Sequence, residues 1–209
     1  MRSLSYNELL AILAHEFDEL DNKRSFIALA GPPASGKSTI SEKLKADFNK
    51  KGFTSDILQM DGFHFDDSIL TLKGLLPRKG SPETFDVQGL KNYLSRLQNE
   101  GEVAVPIFDR SLEVSRSSAH VITQETQIII VEGNYLLLNS EPWSELKKYF
   151  DFTVMLDCEE KVLEKRLVER WESFKLSKDE INKKVYENDL PNGIKVIQNS
   201  NKADFNLIN

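Results

Sequence analysis

The stretch from Gly31 to Ser38 reads G-P-P-A-S-G-K-S and matches the phosphate-loop pattern G-x-x-x-x-G-K-[ST]. Its glycines let the backbone wrap so that N–H groups point inward at phosphate oxygens. The apolar run 26–30 before the loop predicts a buried strand. Apolar residues at helical spacing after it predict a helix, whose N-terminus favours anions. Strand, loop and helix therefore come in the order that a phosphate-binding site requires.

Each position of this loop carries a defined chemistry. In the general motif the lysine reaches the β- and γ-phosphates, and the hydroxyl that follows it ligates Mg²⁺. Lys37 and Ser38 occupy these two positions. The sequence therefore predicts a site for ATP and Mg²⁺. The nucleotide-binding residues predicted from the loop are Gly31, Pro32, Pro33, Ala34, Ser35, Gly36, Lys37, Ser38 and Thr39.

The sequence contains a second stretch that resembles a nucleotide-binding motif. The stretch 201–204 reads N-K-A-D, which matches the guanine-reading pattern N-K-x-D. A GTP-specific protein would also carry a D-x-x-G switch after a strand, and none follows a predicted strand here. GTP specificity is therefore not expected.

Composition excludes several classes of partner. The net charge is -6 and no basic stripe is present, so nucleic-acid binding is not expected. No apolar run approaches the roughly 20 residues that a membrane span needs. The single cysteine, Cys158, excludes an intrachain disulfide and favours a reducing compartment. We expect a cytoplasmic monomer or homodimer that acts on a small molecule.

Strand and helix patterns alternate along the chain and predict an α/β fold, in which a mostly parallel sheet is covered on both faces. We expect one domain over 1–209, with substrate-side insertions at 62–85 and 103–124 and a helical lid at 158–190. The predicted strands are 25–30, 54–60, 127–131, 152–156 and 205–208, with two short strands, 103–108 and 120–123, in the second insertion. The predicted helices cover 5–21, the segment to 50, the segment from 86, 141–149, the segment after 157, 177–188 and the segment from 191.

Two carboxylates follow predicted strands, at the sheet edge where ligands of such folds bind. Asp61 could accept a proton from an attacking hydroxyl or hold Mg²⁺ through water. The alternative is an ordinary turn aspartate before Gly62. Glu132 could hold Mg²⁺ through water or orient Asp61, and its alternative is a strand-end acid facing solvent. The metal-site candidates are therefore Ser38, Asp61 and Glu132.

Two arginines mark the predicted lid. Arg166 and Arg170 are four residues apart, so they share one helix face and could close over the phosphates. The alternative is a solvated face paired with neighbouring glutamates. Asp157 is interpreted as the N-cap of this helix, with Glu160 completing a capping box.

The insertions supply candidates for binding a substrate. Several have plain structural alternatives: Asp86 as a helix N-cap, the arginines as surface ion pairs, and His64 as a structural histidine. The substrate-binding candidates are His64, Arg78, Lys79, Asp86, Asp109, Arg110, Arg116 and Tyr135.

The ordered set of motifs resembles the phosphoribulokinase/uridine kinase family of P-loop kinases. The matching stretches, which span about 25 to 204, are GPPASGKST, MDGFH, RKGSPETFD, PIFDRS, VEGNYLLL and the arginine-bearing helix before NDLPN. The resemblance implies a P-loop NTPase three-layer sandwich that moves the γ-phosphate of ATP to a hydroxyl of a small molecule. It makes Asp61 the general base, gives Glu132 a role beside the metal and places Asp86 where uridine kinases hold ribose hydroxyls. Lys37, Arg166 and Arg170 complete the implied catalytic set.

The acceptor stays open at this point. The segment 108–113 departs from the pyrimidine-gripping pattern of uridine kinases, and the remaining motifs are similar to a subgroup named nucleoside, fructose or pantothenate kinase-like. One alternative is a nucleotide or cofactor kinase whose phosphorylated substrate is clamped by four cationic side chains: Arg78, Lys79, Arg110 and Arg116. Another is a regulatory protein that binds ATP without transferring phosphate.

Overall fold

The structure is a computed structural model that describes residues 3–19 and 24–208. In chain order its strands are β1 (Ser3–Leu4), β2 (Ser25–Ala30), β3 (Ser55–Gln59), β4 (Val103–Asp109), β5 (Val114–Ile122), β6 (Ile128–Gly133), β7 (Phe152–Asp157) and β8 (Phe205–Ile208). Within the described ranges, six strands form a parallel sheet in the order β1-β8-β7-β2-β6-β3, and β4 pairs with β5 in an antiparallel hairpin. The predicted α/β fold with a parallel sheet and a small β insertion is confirmed.

The helices cover both faces of this sheet. They are α1 (Tyr6–Glu19), α2 (Lys37–Lys50), α3 (Asp67–Leu72), α4 (Val87–Asn99), α5 (Glu160–Ser173), α6 (Lys178–Lys184) and α7 (Leu190–Asn199). Short 3₁₀ helices lie at Met60–Phe63, Leu76–Arg78, Pro82–Thr84 and Trp143–Tyr149, and a π-helical turn occupies Val185–Asp189. None of the helices in the described part of the chain is long and apolar enough to cross a membrane.

The central strand β2 shows why the layers form. Its side chains alternate between two buried clusters, because successive residues of a strand point to opposite faces. Phe26 and Ala28 pack with the apolar face of α4, whereas Ile27 and Leu29 pack with α1 and α2. Every residue of β2 is buried, as expected for a strand in the middle of a parallel sheet.

Most predicted helix starts are confirmed, and one is wrong. Ser5 and Glu8 exchange hydrogen bonds at the start of α1, and Ser177 and Glu180 form a full capping box for α6. Asp86 caps α4 by accepting the Gly89 N–H at 2.8 Å. Asp157 is not the cap of α5, because β7 continues through Asp157 in register with Ile208. The chain needs two further residues to turn, and α5 therefore begins at Glu160.

Several boundaries also differ from the sequence expectations. The insertion 62–85 contains a short helix, α3, and the second hairpin strand begins at 114 rather than 120. The predicted helix at 141–149 is a 3₁₀ helix that starts at Trp143. Residues 20 and 21 of the predicted first helix lie outside the described residues.

The N-K-A-D stretch has a structural role. The carboxylate of Asp204 accepts hydrogen bonds from the backbone N–H and the hydroxyl of Thr153, at 2.8 and 2.7 Å. These bonds tie the start of β8 to β7. Asp204 is therefore occupied in fixing the sheet, which explains the motif without guanine binding.

Candidate active site

The phosphate loop lies between the end of β2 and the start of α2. Gly36 adopts φ +95°, a left-handed conformation that glycine reaches without strain, and it directly precedes α2. Because glycine has no side chain to cap the helix, the first backbone N–H groups of α2 are open to a ligand. This is the backbone arrangement on which the predicted anion site depends.

Lys37 crosses this loop. Its ammonium group donates a hydrogen bond to the carbonyl of Pro32 at 2.8 Å, and the residue is 8% exposed. Burial lowers the pKa of Lys37 to about 8, although the carboxylates of Glu132 and Asp61 act against that shift. The side chain is thus held among the groups expected to meet the terminal phosphates.

Glu132 comes to the loop through strand pairing. β6 lies beside β2 with Glu132 opposite Leu29, so the acid emerges next to the start of the phosphate loop. The Ser38 hydroxyl lies 3.3 Å from Oε1 of Glu132 and donates a hydrogen bond to it. Burial and the nearby charge of Asp61 raise the pKa of Glu132. The predicted alternative of a solvent-facing strand-end acid is wrong, since Glu132 is 4% exposed.

Asp61 follows the next strand of the sheet. β3 pairs with β6 so that Gln59 stands opposite Glu132, and the 3₁₀ helix Met60–Phe63 then carries Asp61 to the same edge. Nη2 of Arg110 lies 3.3 Å from Oδ2 of Asp61. Asp61 and Glu132 line one cavity together with Lys37 and Ser38.

This cavity has a volume of about 410 Å³ and three walls above a floor. The phosphate-loop wall is formed by Pro33, Ala34, Gly36, Lys37, Ser38 and Thr39. The hairpin wall is formed by Asp61, His64, Lys79, Gly80, Phe85, Phe108, Arg110 and Glu113. The lid wall is formed by Arg170, Trp171, Lys184, Asn188 and Asp189, and the floor by Glu132, Gly133 and Asn134.

The hairpin wall has an aromatic centre. The His64 ring lies between Phe85 and Phe108, with centroid distances of 3.9 and 4.9 Å. Its Nδ1–H donates to the backbone carbonyl of Asp61 at 2.9 Å, and burial lowers the pKa of this histidine. The ring thus fixes the backbone that carries Asp61 and presents a flat surface beside it.

Lys79 completes the hairpin wall. Its ammonium group contacts the Asp67 carboxylate and the Glu113 carbonyl, both at 2.7 Å. Lys79 therefore joins α3 to the tip of the hairpin and carries a neutralised charge.

Six residues of the predicted catalytic and substrate-binding sets lie outside the cavity lining. Arg166 donates to the Ser35 carbonyl at 3.3 Å, behind the phosphate loop. Tyr135 is buried and donates to the Gly80 carbonyl, so it supports the hairpin wall from below. Asp86 is exposed as the cap of α4. The remaining three are Arg78, which pairs with Glu83 at 3.5 Å, and Asp109 and Arg116, which pair with each other at 3.3 Å.

The four-residue phosphate clamp is not assembled. Only Lys79 and Arg110 of its proposed members line the cavity, and each is already paired with an acid. Three residues of the predicted nucleotide-binding set do not line the cavity: Gly31, Pro32 and Ser35. The Pro32 carbonyl accepts a hydrogen bond from Lys37, and the Ser35 carbonyl accepts one from Arg166.

Sequence reasoning missed several lining residues. Among them are Glu113 on the hairpin wall and Trp171, Lys184, Asn188 and Asp189 on the lid wall. The N-D-L-P-N stretch at 188–192 is a signal for Asn188 and Asp189, because it places a polar pair directly before α7, whose first turn contains a proline. No comparable local pattern singles out Glu113.

The phosphoribulokinase/uridine kinase family model matches residues 26–172, which include the phosphate loop, Asp61 and Glu132. The chain belongs to this family. Its members are ATP-dependent kinases of small molecules. The family match covers two of the cavity walls and the floor, and it ends just after Trp171 on the lid wall.

Proteins similar in sequence or structure align with most of this chain. The uncharacterized protein YggC of Escherichia coli is 33% identical over 96% of this chain and 84% of its own length. A pantothenate kinase of Lactococcus lactis is 32% identical over 73% of this chain, which spans about half (51%) of that enzyme. The crystal structure of a putative fructose transport system kinase from a Silicibacter species superposes with a TM-score of 0.89 at 36% identity, covering 94% of this chain and 98% of that one.

Proposed function

We propose that this family member transfers the γ-phosphate of ATP to a hydroxyl of a small, unphosphorylated molecule. The observation that carries the proposal is the convergence of Lys37, Ser38, Glu132 and Asp61 on one end of a single cavity. A regulator that only binds Mg·ATP can use one carboxylate for the metal, but it has no need of a second carboxylate, Asp61, on the wall that faces the acceptor. The acceptor class remains nucleoside, sugar or pantothenate-like.

Asp61 is the proposed general base. It takes the proton of the acceptor hydroxyl as the new O–P bond forms to the γ-phosphorus, while the bond to the β–γ bridging oxygen breaks and ADP leaves. Arg110, 3.3 Å from Asp61, holds the carboxylate in place before the acceptor arrives. Lys37 and Arg170 supply positive charge for the phosphoryl group in transit.

The residues beside the phosphate loop suit Mg²⁺. This ion prefers oxygen ligands and is usually held by one or two carboxylates together with substrate phosphates and water. Ser38 and Glu132 provide adjacent oxygens, and Asp61 provides another on the same cavity. Among the described residues no cluster of three or more acidic, histidine or cysteine side chains forms a cage of its own. When bound, the metal would neutralise charge on the phosphates.

The hairpin wall favours an acceptor without a phosphate group. A phosphorylated acceptor would need unpaired cations there, whereas Lys79 and Arg110 are paired with Asp67 and Asp61. The flat surface of His64, Phe85 and Phe108 suits the carbon face of a small polar molecule instead.

The test measures ADP formation across a panel of sugars, nucleosides and hydroxy acids, first in the wild type and then in Asp61→Asn. Asparagine keeps the size of the side chain and cannot take the proton, so kcat with the best acceptor should fall about 10²- to 10⁴-fold. The dissociation constant of Mg·ATP should stay within twofold of the wild type.

The matched control is Asp66→Asn. Asp66 lies five positions further on, outside the cavity lining, and caps α3 by accepting the Ser68 N–H, which asparagine also does. Its kcat should equal the wild-type value. Undiminished turnover in Asp61→Asn would remove the general base, and tight ATP binding with no phosphorylated product across the panel would favour the regulatory alternative.

A further inference from the structure

The lid wall contains an irregular helical turn that the family match does not reach. α6 ends at Lys184, α7 begins at Leu190, and the π-helical turn Val185–Asp189 joins them. Such turns hold one extra residue, and they occur frequently at functional sites. Here the last two residues of the turn, Asn188 and Asp189, both line the cavity.

Asp189 contacts α5, the helix that carries Arg170 on the lid wall, through the side chain of Trp171. Its Oδ2 accepts the indole N–H of Trp171 at 2.8 Å. Burial raises the pKa of Asp189, and the Trp171 hydrogen bond, Arg170 and Lys184 oppose that rise. The carboxylate therefore stands among a donor and two positive charges on the inner side of the lid.

Trp171 in turn contacts the lid arginine. The Arg170 guanidinium lies 5.2 Å from the centroid of the Trp171 ring, and Nζ of Lys184 lies 4.5 Å from it. Cation–π contacts of this kind restrict a long side chain that would otherwise sample many rotamers. The orientation of the Trp171 ring therefore helps to fix the position of the Arg170 guanidinium.

Asn188 fixes the same turn to the opposite wall. Its Nδ2 donates to the Lys79 carbonyl at 2.9 Å, and its side-chain oxygen accepts from Asn192, which is buried. The Lys79 side chain then reaches the Glu113 carbonyl at the hairpin tip. A continuous chain of contacts thus crosses the cavity from the lid wall to the hairpin wall.

We propose that Asp189 is a positioning residue for phosphoryl transfer: it orients Trp171 and, through Trp171, holds the guanidinium of Arg170 in the cavity. Asn188 anchors the π-helical turn to the Lys79 carbonyl, which fixes the position of Asp189 and Trp171 relative to the hairpin wall. The inference rests on the proposed kinase reaction and assigns to it a residue beyond the family match. Its physical basis is preorganisation, because a charge already in place stabilises the transition state without the cost of ordering a flexible side chain.

The test is a double-mutant cycle between Asp189→Leu and Arg170→Ala. Asp189→Leu should lower kcat about tenfold, which corresponds to losing one hydrogen bond to a charged group, and leave the KM for ATP within twofold. If Asp189 acts through Arg170, the same substitution should cause no further loss of kcat in the Arg170→Ala background. A loss that is equally large in both backgrounds would show general damage to the lid and overturn the proposal.

A matched control and a second variant separate the contact from folding effects. Glu187→Gln removes the same charge from the same turn, at an exposed position outside the cavity lining, and should leave kcat unchanged. Trp171→Phe keeps an aromatic ring for Arg170 and removes the indole N–H. It should reproduce the tenfold loss, and adding Asp189→Leu to it should lower kcat no further. An additive loss would contradict the chain of contacts.

Fluorescence gives a readout that does not depend on turnover. The chain has two tryptophans, and the other, Trp143, is buried in the core, so the wild-type spectrum minus the Trp171→Phe spectrum isolates Trp171. Asp189→Leu should change the emission maximum of this component, because the indole N–H loses its carboxylate acceptor. Absence of Mg·ATP turnover in the wild type would overturn the proposed function, whereas an active enzyme with unchanged kcat and emission in Asp189→Leu would overturn this inference alone.

Discussion

The phosphate-loop wall and the hairpin wall face each other across one cavity but are built in different ways. The first comes from one short segment between β2 and α2, and its shape depends on backbone conformation, as at Gly36. The second gathers residues from 61–64, 79–85 and 108–113. Side chains that bond to backbone carbonyls hold these segments together, such as Lys79 to Glu113 and Ser115 to His64.

This difference in construction separates triphosphate binding, which needs only a backbone cradle, from acceptor recognition, which depends on individual side chains. A cradle of backbone N–H groups binds any triphosphate, because it recognises only phosphate oxygens. A wall assembled from side chains of distant segments changes its shape whenever one of those side chains changes. We therefore expect substitutions on the phosphate-loop wall to affect every acceptor equally, and substitutions on the hairpin wall to discriminate between acceptors.

On the phosphate-loop wall, the largest effect is expected at Lys37. Replacing it by methionine keeps the volume of the stem and removes the ammonium group that the proposed reaction needs at the phosphates. We expect kcat/KM to fall about 10²- to 10³-fold for every acceptor in the panel, as measured by ADP formation. A loss that differs strongly between acceptors would contradict the separation of the two walls.

The pKa of Lys37 adds a second measurement and its own control. Since burial lowers that pKa to about 8, raising the pH from 7 to 9 should neutralise the side chain and weaken Mg·ATP binding about tenfold. The affinity of Lys37→Met for Mg·ATP should not show this dependence on pH.

The stability of the free protein should increase over the same pH range, whereas Mg·ATP binding weakens. Between the folded pKa and the unfolded value of 10.5 the unfolded chain binds more protons, so the free energy of unfolding increases with pH. Lys50→Met, at an exposed position of the same helix, should behave as the wild type.

The same contrast explains which parts of the site the sequence could predict. Glu132 lies at the end of β6, Asp61 comes two residues after β3, and Lys37 and Ser38 open α2 after the phosphate loop that follows β2. The neighbouring positions of β3, β6 and β2 in one parallel sheet bring these residues together. Local pattern therefore sufficed for these residues. It also predicted the parallel sheet, since apolar runs alternate with helical periods along the chain.

The hairpin and lid walls depend on tertiary contacts that no local pattern encodes. Arg78 and Lys79 are adjacent and both carry a positive charge, yet Lys79 lines the cavity and Arg78 pairs with Glu83 at the surface. The π-helical turn Val185–Asp189 replaces the end of the segment 177–188, for which the sequence predicts one regular helix, and its last two residues, Asn188 and Asp189, line the cavity. Asp157 shows the same limit at a boundary, because pairing with β8 extended β7 beyond the apolar run.

An intermediate effect is expected at Lys79 on the hairpin wall. Lys79→Met removes the bonds to Asp67 and to the Glu113 carbonyl, so the hairpin tip loses its anchor beside the cavity. We expect the KM of the best acceptor to increase about tenfold while the KM for ATP stays within twofold. Steady-state kinetics with each substrate varied in turn measures both constants. Lys73→Met, an exposed lysine outside the cavity lining, serves as the control, and a parallel change in the two KM values would argue that the walls are not independent.

The smallest effect is expected where the hairpin backbone approaches Asp61. A Cβ added at Gly62 would lie 2.8 Å from the carbonyl oxygen of Pro106 in β4, closer than such atoms normally approach, and backbone cannot move aside as a flexible side chain does. Gly62→Ala should therefore displace the hairpin slightly, lower the free energy of unfolding by about 1–3 kcal/mol and raise the acceptor KM a few-fold without affecting ATP. Urea unfolding and the same kinetics measure these changes. Gly101→Ala is the matched control at the other end of the hairpin, because the nearest atom there is Oε1 of the flexible Gln124 side chain at 3.1 Å. Equal stability and equal acceptor KM in the two variants would mean that the hairpin approaches Asp61 without close packing, and the acceptor side would then be fixed by the side-chain anchors alone.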